Sequence, residues 1–145
     1  MNALTQLTRI LRPVITRSLI LLAALGLGIG ITHANPPIRK TTRWENMTVT
    51  PIVVHAGGTV SMSAQLYYQD KQGKYRLLTY KSVPVEWRIG NSPIGVSNSQ
   101  NGTASFSFTM PKTARKGLYR ATAWFYGDID HKGSYISRNF TVVVP

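Results

Sequence analysis

Acidic and imidazole side chains come close together in this sequence at Asp128-Ile-Asp-His131. Two carboxylates and a histidine in one loop could hold a cation, and Ca²⁺ takes about six to eight oxygen ligands. The chain has only three other acids: Glu45, Asp70 and Glu86. Because this supply is too small to complete a coordination shell, we interpret the aspartates as loop formers that hydrogen-bond their own backbone. We predict no metal site and no cofactor.

The remaining polar residues do not form a pattern typical of catalysis. His55 and His131 are the histidines that follow Ala34, and neither has a second ligand at a spacing typical of zinc sites. We interpret both as surface residues in turns. The serines alternate along candidate strands, and no Gly-x-Ser-x-Gly motif presents one of them as a nucleophile. We therefore expect a protein that is not an enzyme.

Aromatic and basic residues in Leu118–Tyr126 are the better functional candidates. Period-two alternation places Arg120, Trp124 and Tyr126 on one face of this segment and Tyr119 on the other. If the Tyr119 face lies in the core, the opposite face exposes aromatic rings beside a cation. Such a face suits stacking on sugar rings or burial in a protein interface.

Tyr67 and Arg88 are the other candidate ligand contacts, because alternation also directs them outward from their strands. We expect them to lie near Trp124. For Trp124 itself we favour another interpretation, in which it packs beneath the long segment 72–82, since large exposed apolar patches are rare on monomers.

The elements that must position these residues are β-strands. Apolar and polar residues alternate in segments such as Thr59–Gln69, Val83–Ile89 and Thr103–Met110, which are separated by Gly, Asn and Asp turns at regular short intervals. In Val83–Ile89, the alternation directs Trp87 inward, where we expect it to be structural. No amphipathic helix of useful length is predicted. The pattern is typical of a β-sandwich, and we count about seven strands.

The stretch Asn101-Gly-Thr-Ala-Ser-Phe-Ser-Phe-Thr109 and the stretch Gly117-Leu-Tyr-Arg-Ala-Thr-Ala-Trp-Phe-Tyr-Gly-Asp128 carry a family likeness. They resemble the second half of bacterial immunoglobulin-like domains, the modules of invasin- and intimin-type adhesins. The resemblance covers residues 46–144 and implies an all-β, immunoglobulin-like antiparallel sandwich. It also implies that Tyr119 forms a tyrosine corner, with its hydroxyl bonded to backbone near the preceding loop and the two sheets joined without a disulfide.

The segment 1–34 is predicted to be a signal peptide rather than part of the fold. Residues 1–17 contain three arginines and no acid, the apolar run Ser18–Ile31 follows, and Thr32-His33-Ala34 supplies small residues for cleavage after Ala34. An uncleaved anchor is the alternative, but a spanning helix needs about 20 apolar residues. We predict a linker at 35–43 and the sandwich domain at 44–145. The protein is then exported to the periplasm, the cell surface or the medium, and contacts a membrane only if the segment is retained.

Charge and cysteine content restrict the partners. Of 17 Lys and Arg residues, three precede Ala34, which leaves 14 against five acids and a net charge of +9 for the predicted domain. This charge attracts anionic lipid headgroups or acidic envelope polymers, and export makes nucleic acid the least favoured partner. The chain has no cysteine, so it must be stabilised by apolar packing.

These observations predict an exported, non-enzymatic binding module at the cell envelope or surface. It would contact an anionic polymer or a partner protein through basic loops and an aromatic sheet face. The alternative is a structural or accessory subunit of a surface assembly that pairs through an edge strand.

Overall fold

Side chains along the strands alternate between a buried and an exposed face, as the period-two pattern predicts. The computed structural model describes residues 35–144, so the predicted signal peptide lies outside the described residues. Within 35–144 the chain forms nine strands and no helix. The strands are β1 (Thr42–Thr50), β2 (Val53–His55), β3 (Thr59–Gln69), β4 (Tyr75–Leu77), β5 (Pro84–Ile89), β6 (Ser92–Asn98), β7 (Thr103–Thr109), β8 (Gly117–Gly127) and β9 (Lys132–Val143).

The strands form two sheets, and the prediction of an all-β sandwich is confirmed. In the first sheet, β3 lies between β1 on one side and β4 and β7 on the other. The second sheet has the order β2-β9-β8-β5-β6. Only the short pairing of β2 with β9 is parallel among these strand pairs. With β1, β3 and β7 opposite β5, β8 and β9, the arrangement is that of an immunoglobulin-like sandwich. The strand count exceeds seven because it includes β2 and β4, which are very short.

The core between the sheets is apolar and centres on Trp87, which is fully buried, as predicted. Its indole stacks on Phe106 with 6.3 Å between ring centroids, and its Nε1 donates a hydrogen bond to Ser97 Oγ at 2.8 Å. Leu66 and Phe125 are also buried, from the first and second sheet respectively. Burying one such side chain stabilises a fold by about 1.5–3 kcal/mol, so apolar packing can replace the missing disulfide.

Tyr119 fixes the loop that precedes β8. Its hydroxyl donates to the backbone carbonyl of Arg115 at 2.9 Å, which is the type of hydrogen bond expected of a tyrosine corner. The bond is local in sequence and orders the loop Pro111–Lys116, which we call the basic loop. The ring, half-buried against Phe140 at 5.9 Å, supplies the contact with the core.

The chain enters the sandwich earlier than the predicted domain start at residue 44. Lys40 N donates to Asp130 O at 2.7 Å, and Lys132 N donates to Lys40 O at 2.8 Å. The side chain of Thr42 is buried and its hydroxyl donates to Lys132 O at 2.7 Å. Residues 40–43, placed in the linker by their polar sequence, therefore belong to the sandwich, because β9 offers them backbone and hydroxyl partners. In the described residues no helix is long and apolar enough to cross a membrane.

The alternation along β3 can be tested by truncating one inward and one outward side chain. Leu66→Ala should lower the free energy of unfolding by about 2–5 kcal/mol, because it opens a cavity where the side chain is fully buried. Ser63→Ala, on the exposed face of the same strand, should change it by less than about 0.5 kcal/mol. Urea denaturation measures both variants, and equal effects would contradict the assignment of faces.

Candidate functional site

An aromatic cluster occupies the outer face of the second sheet, the face turned away from the core. Strand register places Trp124 on β8 directly between Glu86 on β5 and Tyr135 on β9. The rings of Trp124 and Tyr135 stack, with centroids 4.8 Å apart and planes 14° from parallel. From the β5 side, the guanidinium carbon of Arg88 lies 5.3 Å from the Trp124 centroid. Trp124 is therefore flanked on both sides and half-buried.

Arg88, Glu86 and Tyr126 form a closed set of polar contacts beside this stack. Arg88 Nη2 donates to Tyr126 Oη at 2.8 Å, Tyr126 Oη donates to Glu86 Oε1 at 2.9 Å, and Arg88 Nε donates to the same carboxylate. The hydrogen bond from Arg88, followed by that from Tyr126, lowers the pKa of Glu86, and Glu86 in turn raises the pKa of Arg88. Both groups stay charged at neutral pH, and the positive charge of Arg88 is balanced locally.

A groove of about 560 Å³ runs along the same face next to the stack. Its floor is Thr122, whose hydroxyl is 2.8 Å from that of Ser137. Thr122 is only 6% exposed although it points outward, because larger side chains rise around it. The groove is lined by Arg88, Ile89, Gly90, Asn91, Leu118, Tyr119, Arg120, Thr122, Trp124, Tyr135 and Ser137.

Every acid in the described residues has a cationic partner, which leaves other cations without one. The ion pairs are Glu45 with Arg43, Asp70 with Arg76, Glu86 with Arg88, and both Asp128 and Asp130 with Lys81. Within residues 35–144, the three cations of the basic loop and Arg120 form no ion pair. All four are exposed: Lys112, Arg115, Lys116 and Arg120. Arg120 lines the groove, and the basic loop leads into β8, the strand that carries Arg120.

The structure brings together most of the predicted ligand contacts. Trp124, Tyr126 and Arg88 touch one another, and Arg120 lines the groove beside them. Tyr67 does not join them. It lies on β3 in the other sheet, and its hydroxyl donates to Gln65 Oε1 at 3.4 Å. The expectation that Tyr67 lies near Trp124 was wrong because alternation gives the face of a strand and not its sheet.

Sequence reasoning missed Tyr135, the most exposed ring of the cluster at 62%. The signal was available but weak, since Tyr135 and Ser137 flank the apolar Ile136 in β9, whereas Arg138 interrupts the alternation that follows. The favoured interpretation, that segment 72–82 covers Trp124, was also wrong. That segment pairs with β3 in the first sheet through β4.

The Asp128 loop has the geometry of a backbone-bonded turn. Asp128 Oδ1 accepts from the backbone nitrogens of Asp130 and His131, each at 2.8 Å. His131 is fully buried rather than on the surface as predicted. Its Nδ1 is 2.9 Å from Asp128 Oδ1, and its Nε2 is 2.8 Å from Tyr80 Oη. Burial follows because the loop folds back under segment 72–82, from which Tyr80 contacts the imidazole ring.

Asp128, Asp130 and His131 also bring ligand-type atoms within 4.8 Å of one another. Lys81 Nζ lies 2.8 Å from Asp128 Oδ2 and 3.4 Å from Asp130 Oδ2, so its ammonium group supplies the positive charge at this loop. Burial raises the pKa of Asp128, but Lys81, His131 and the backbone together lower it from 3.8 to about 2. The cluster therefore acts as a charged clamp on the β8–β9 connection.

Comparisons with known proteins give no family and a remote structural likeness. No protein-family model matches the chain, and no curated protein matches it. Among solved structures, the CARDB domain of the PF1109 protein from Pyrococcus furiosus, in complex with di-metal ions, is similar over 74% of this chain and 93% of that chain. The sequence identity is 12% and the TM-score is 0.44. A likeness this remote assigns no role to any residue, and the resemblance to bacterial immunoglobulin-like adhesin domains stays a prediction.

The lowered pKa of Asp128 predicts a pH-dependent contribution to stability. Because the folded pKa of about 2 lies below the value near 3.9 expected for an unfolded aspartate, the contribution is present above about pH 5 and is lost as the pH falls toward 2. Asp128→Asn keeps the shape of the loop and removes the charge. It should lower the free energy of unfolding at pH 7 by about 1–2 kcal/mol, with the difference shrinking on acidification.

Urea denaturation of both proteins at a series of pH values measures this difference. Asp130→Asn is the matched control, because its carboxylate is more exposed and farther from Lys81, and exposed ion pairs contribute less than about 1 kcal/mol. A difference between native protein and Asp128→Asn that stays constant down to pH 2 would contradict the clamp.

Proposed function

We propose that this protein is an exported, non-enzymatic binding module that holds an anionic polymer of the cell envelope or surface. The observation that carries the proposal is the distribution of charge. All five acids are neutralised by nearby cations. Other cations have no ion pair within residues 35–144, among them Arg120 in the groove and the three of the basic loop that leads into β8. A positive potential of this kind attracts and orients a polyanion before close contact is made.

The basic loop is suited to binding a polyanion because it is ordered before any ligand arrives. The Tyr119 hydroxyl bonds the carbonyl of Arg115, and Ala114 N donates to Pro111 O at 2.9 Å. A loop that is already fixed loses less conformational entropy on binding. Lys112, Arg115 and Lys116 can therefore contact successive anionic groups of one polymer without a folding step.

The chemistry of the groove supports binding rather than catalysis. Two hydroxyls of its lining, those of Thr122 and Ser137, bond each other. The described histidines, His55 and His131, do not line the groove. A hydroxyl becomes a nucleophile only beside a base, and the groove lining supplies none. Export, together with a periplasmic, surface or secreted location, rests on the signal-like segment 1–34.

A structural role through strand pairing is the second candidate, and one feature of β6 favours it. In the described residues β6 pairs only with β5, so its outer edge presents unpaired backbone groups. The stretch 94–98 contains no charge or proline that would protect this edge, and Val96 is exposed. A neighbouring strand added here would bind mainly through backbone hydrogen bonds. Such pairing should persist in high salt, unlike polyanion binding.

The basic loop can be tested by replacing Lys112, Arg115 and Lys116 with glutamine. With dextran sulfate as a probe, the native protein should bind tightly at low salt and lose affinity steeply as salt rises. The triple variant should bind about tenfold or more weakly at low salt and show a flatter salt dependence, because three charge contacts are gone. Titration calorimetry measures both.

The matched control removes three charges near the turn that follows Gln69, at the end of β3 opposite the basic loop. Its substitutions are Lys71→Gln, Lys74→Gln and Lys132→Gln. These side chains are exposed and form no ion pair within residues 35–144. Equal loss of affinity in the two triple variants would show that total charge, and not the basic loop, governs binding. That result would refute the proposed site.

A further inference from the structure

The geometry points to an acidic polysaccharide as the ligand of the groove, that is, a chain of sugar rings carrying carboxylates. This inference rests on the proposed function and makes it more specific. One sugar ring would stack on Tyr135, and the carboxylate of the same or the next ring would pair with Arg120. The basic loop would then hold the chain where it leaves the groove.

Tyr135 is the accessible stacking surface. Its ring packs on Trp124 with 4.8 Å between centroids, yet 62% of the residue is exposed. Trp124 and Arg88 hold the stack in place from the neighbouring strands. One face of a sugar ring presents C–H groups and is apolar, while its edge is polar. A fixed aromatic ring next to polar groups is complementary to such a ligand.

Arg120 is the cation of the groove that remains to be neutralised. The other guanidinium in the lining, that of Arg88, is balanced by Glu86. Arg120 has no ion pair or side-chain hydrogen bond within residues 35–144. A guanidinium pairs with a carboxylate through two parallel hydrogen bonds. One free cation beside an apolar wall suits a polymer with widely spaced charges, such as one carboxylate per ring, better than a polyphosphate.

The rest of the groove fits a ligand with many hydroxyls. Asn91 and Ser137 contribute an amide and a hydroxyl to the lining, whereas Leu118, which is 72% exposed, contributes apolar surface. The volume of about 560 Å³ lies within the range of about 300–1,000 Å³ typical of ligand sites. An amphipathic lining with a single free charge therefore distinguishes this groove from the basic loop, which offers charge alone.

Intrinsic fluorescence can follow binding at this site. The chain has three tryptophans, of which Trp44 and Trp87 are buried in the core and Trp124 lies in the groove. The probes are a galacturonic acid decamer, its methyl ester and a polyphosphate of equal charge, each added to the purified full chain. The decamer should change Trp124 emission saturably, and the change should vanish in Trp124→Phe. The uncharged ester should bind about tenfold more weakly, because it cannot pair with Arg120.

Two substitutions separate stacking from charge. Tyr135→Ala should weaken binding of the decamer about tenfold and leave polyphosphate binding unchanged, whereas Tyr135→Phe, which keeps the ring, should stay within about twofold. Arg120→Gln should weaken the decamer about tenfold. Ser61→Ala with Ser107→Ala, on the outer face of the other sheet, should have no effect. Thermal unfolding followed by circular dichroism verifies that each variant is folded.

The outcomes distinguish this inference from the proposed function. Equal affinity for the decamer and polyphosphate, dependent on the basic loop and insensitive to Tyr135→Ala, would overturn the polysaccharide assignment and leave polyanion binding intact. No binding of any of these polyanions or of dextran sulfate would overturn both. Decamer binding that requires Tyr135 and Arg120 supports both.

Discussion

Packing around Trp87 is the interaction on which both sheets depend, because no disulfide joins them. The indole fits only because its neighbours across the strands are small, Ala123 on β8 and Gly95 on β6. A Cβ added to Gly95 would lie 2.3 Å from the ring of Phe106, which stacks on Trp87. The inward positions of these strands are therefore committed to filling one space. The outward positions carry no such constraint, so they are where binding residues can accumulate without loss of stability.

The charged residues also divide into those that stabilise the fold and those that are free to bind a partner. Asp128 with Lys81 fixes the β8–β9 connection, and Glu86 with Arg88 orders the aromatic stack. Each of these acids thus neutralises a cation that has a structural position. What remains is a surplus of positive charge that forms no ion pair within residues 35–144. Part of it lies at the basic loop and Arg120, and part lies at the opposite end of the sandwich, at Lys71, Lys74 and Lys132. Since unpaired surface charge attracts counter-ions, this surplus is itself a reason to expect an anionic partner.

Sequence patterns predicted the parts of this arrangement that depend on neighbouring residues. Alternation within one strand correctly placed Trp87 inward and Arg120 outward, because the pleat alone decides the face. It could not show that Tyr67 and Trp124 belong to different sheets, since strand pairing is decided by packing between distant segments. His131 was misjudged for the same reason. Its burial depends on Tyr80 closing over it from 51 positions away, and no local pattern contains that contact.

The position of Trp124 indicates that Tyr135, and not Trp124, would be the ring that contacts a ligand. An exposed tryptophan in a strand suggests a stacking platform, but here the rings of its neighbours and the guanidinium of Arg88 surround it. Its contribution is to hold Tyr135 in a fixed orientation at the end of the stack. Rigid aromatic contacts bind with a small entropic cost, so a half-buried ring behind an exposed one makes the exposed ring a better binding surface. Recognition would therefore depend on pairs of residues on adjacent strands, and the register of β8 with β9 becomes a functional property of the fold.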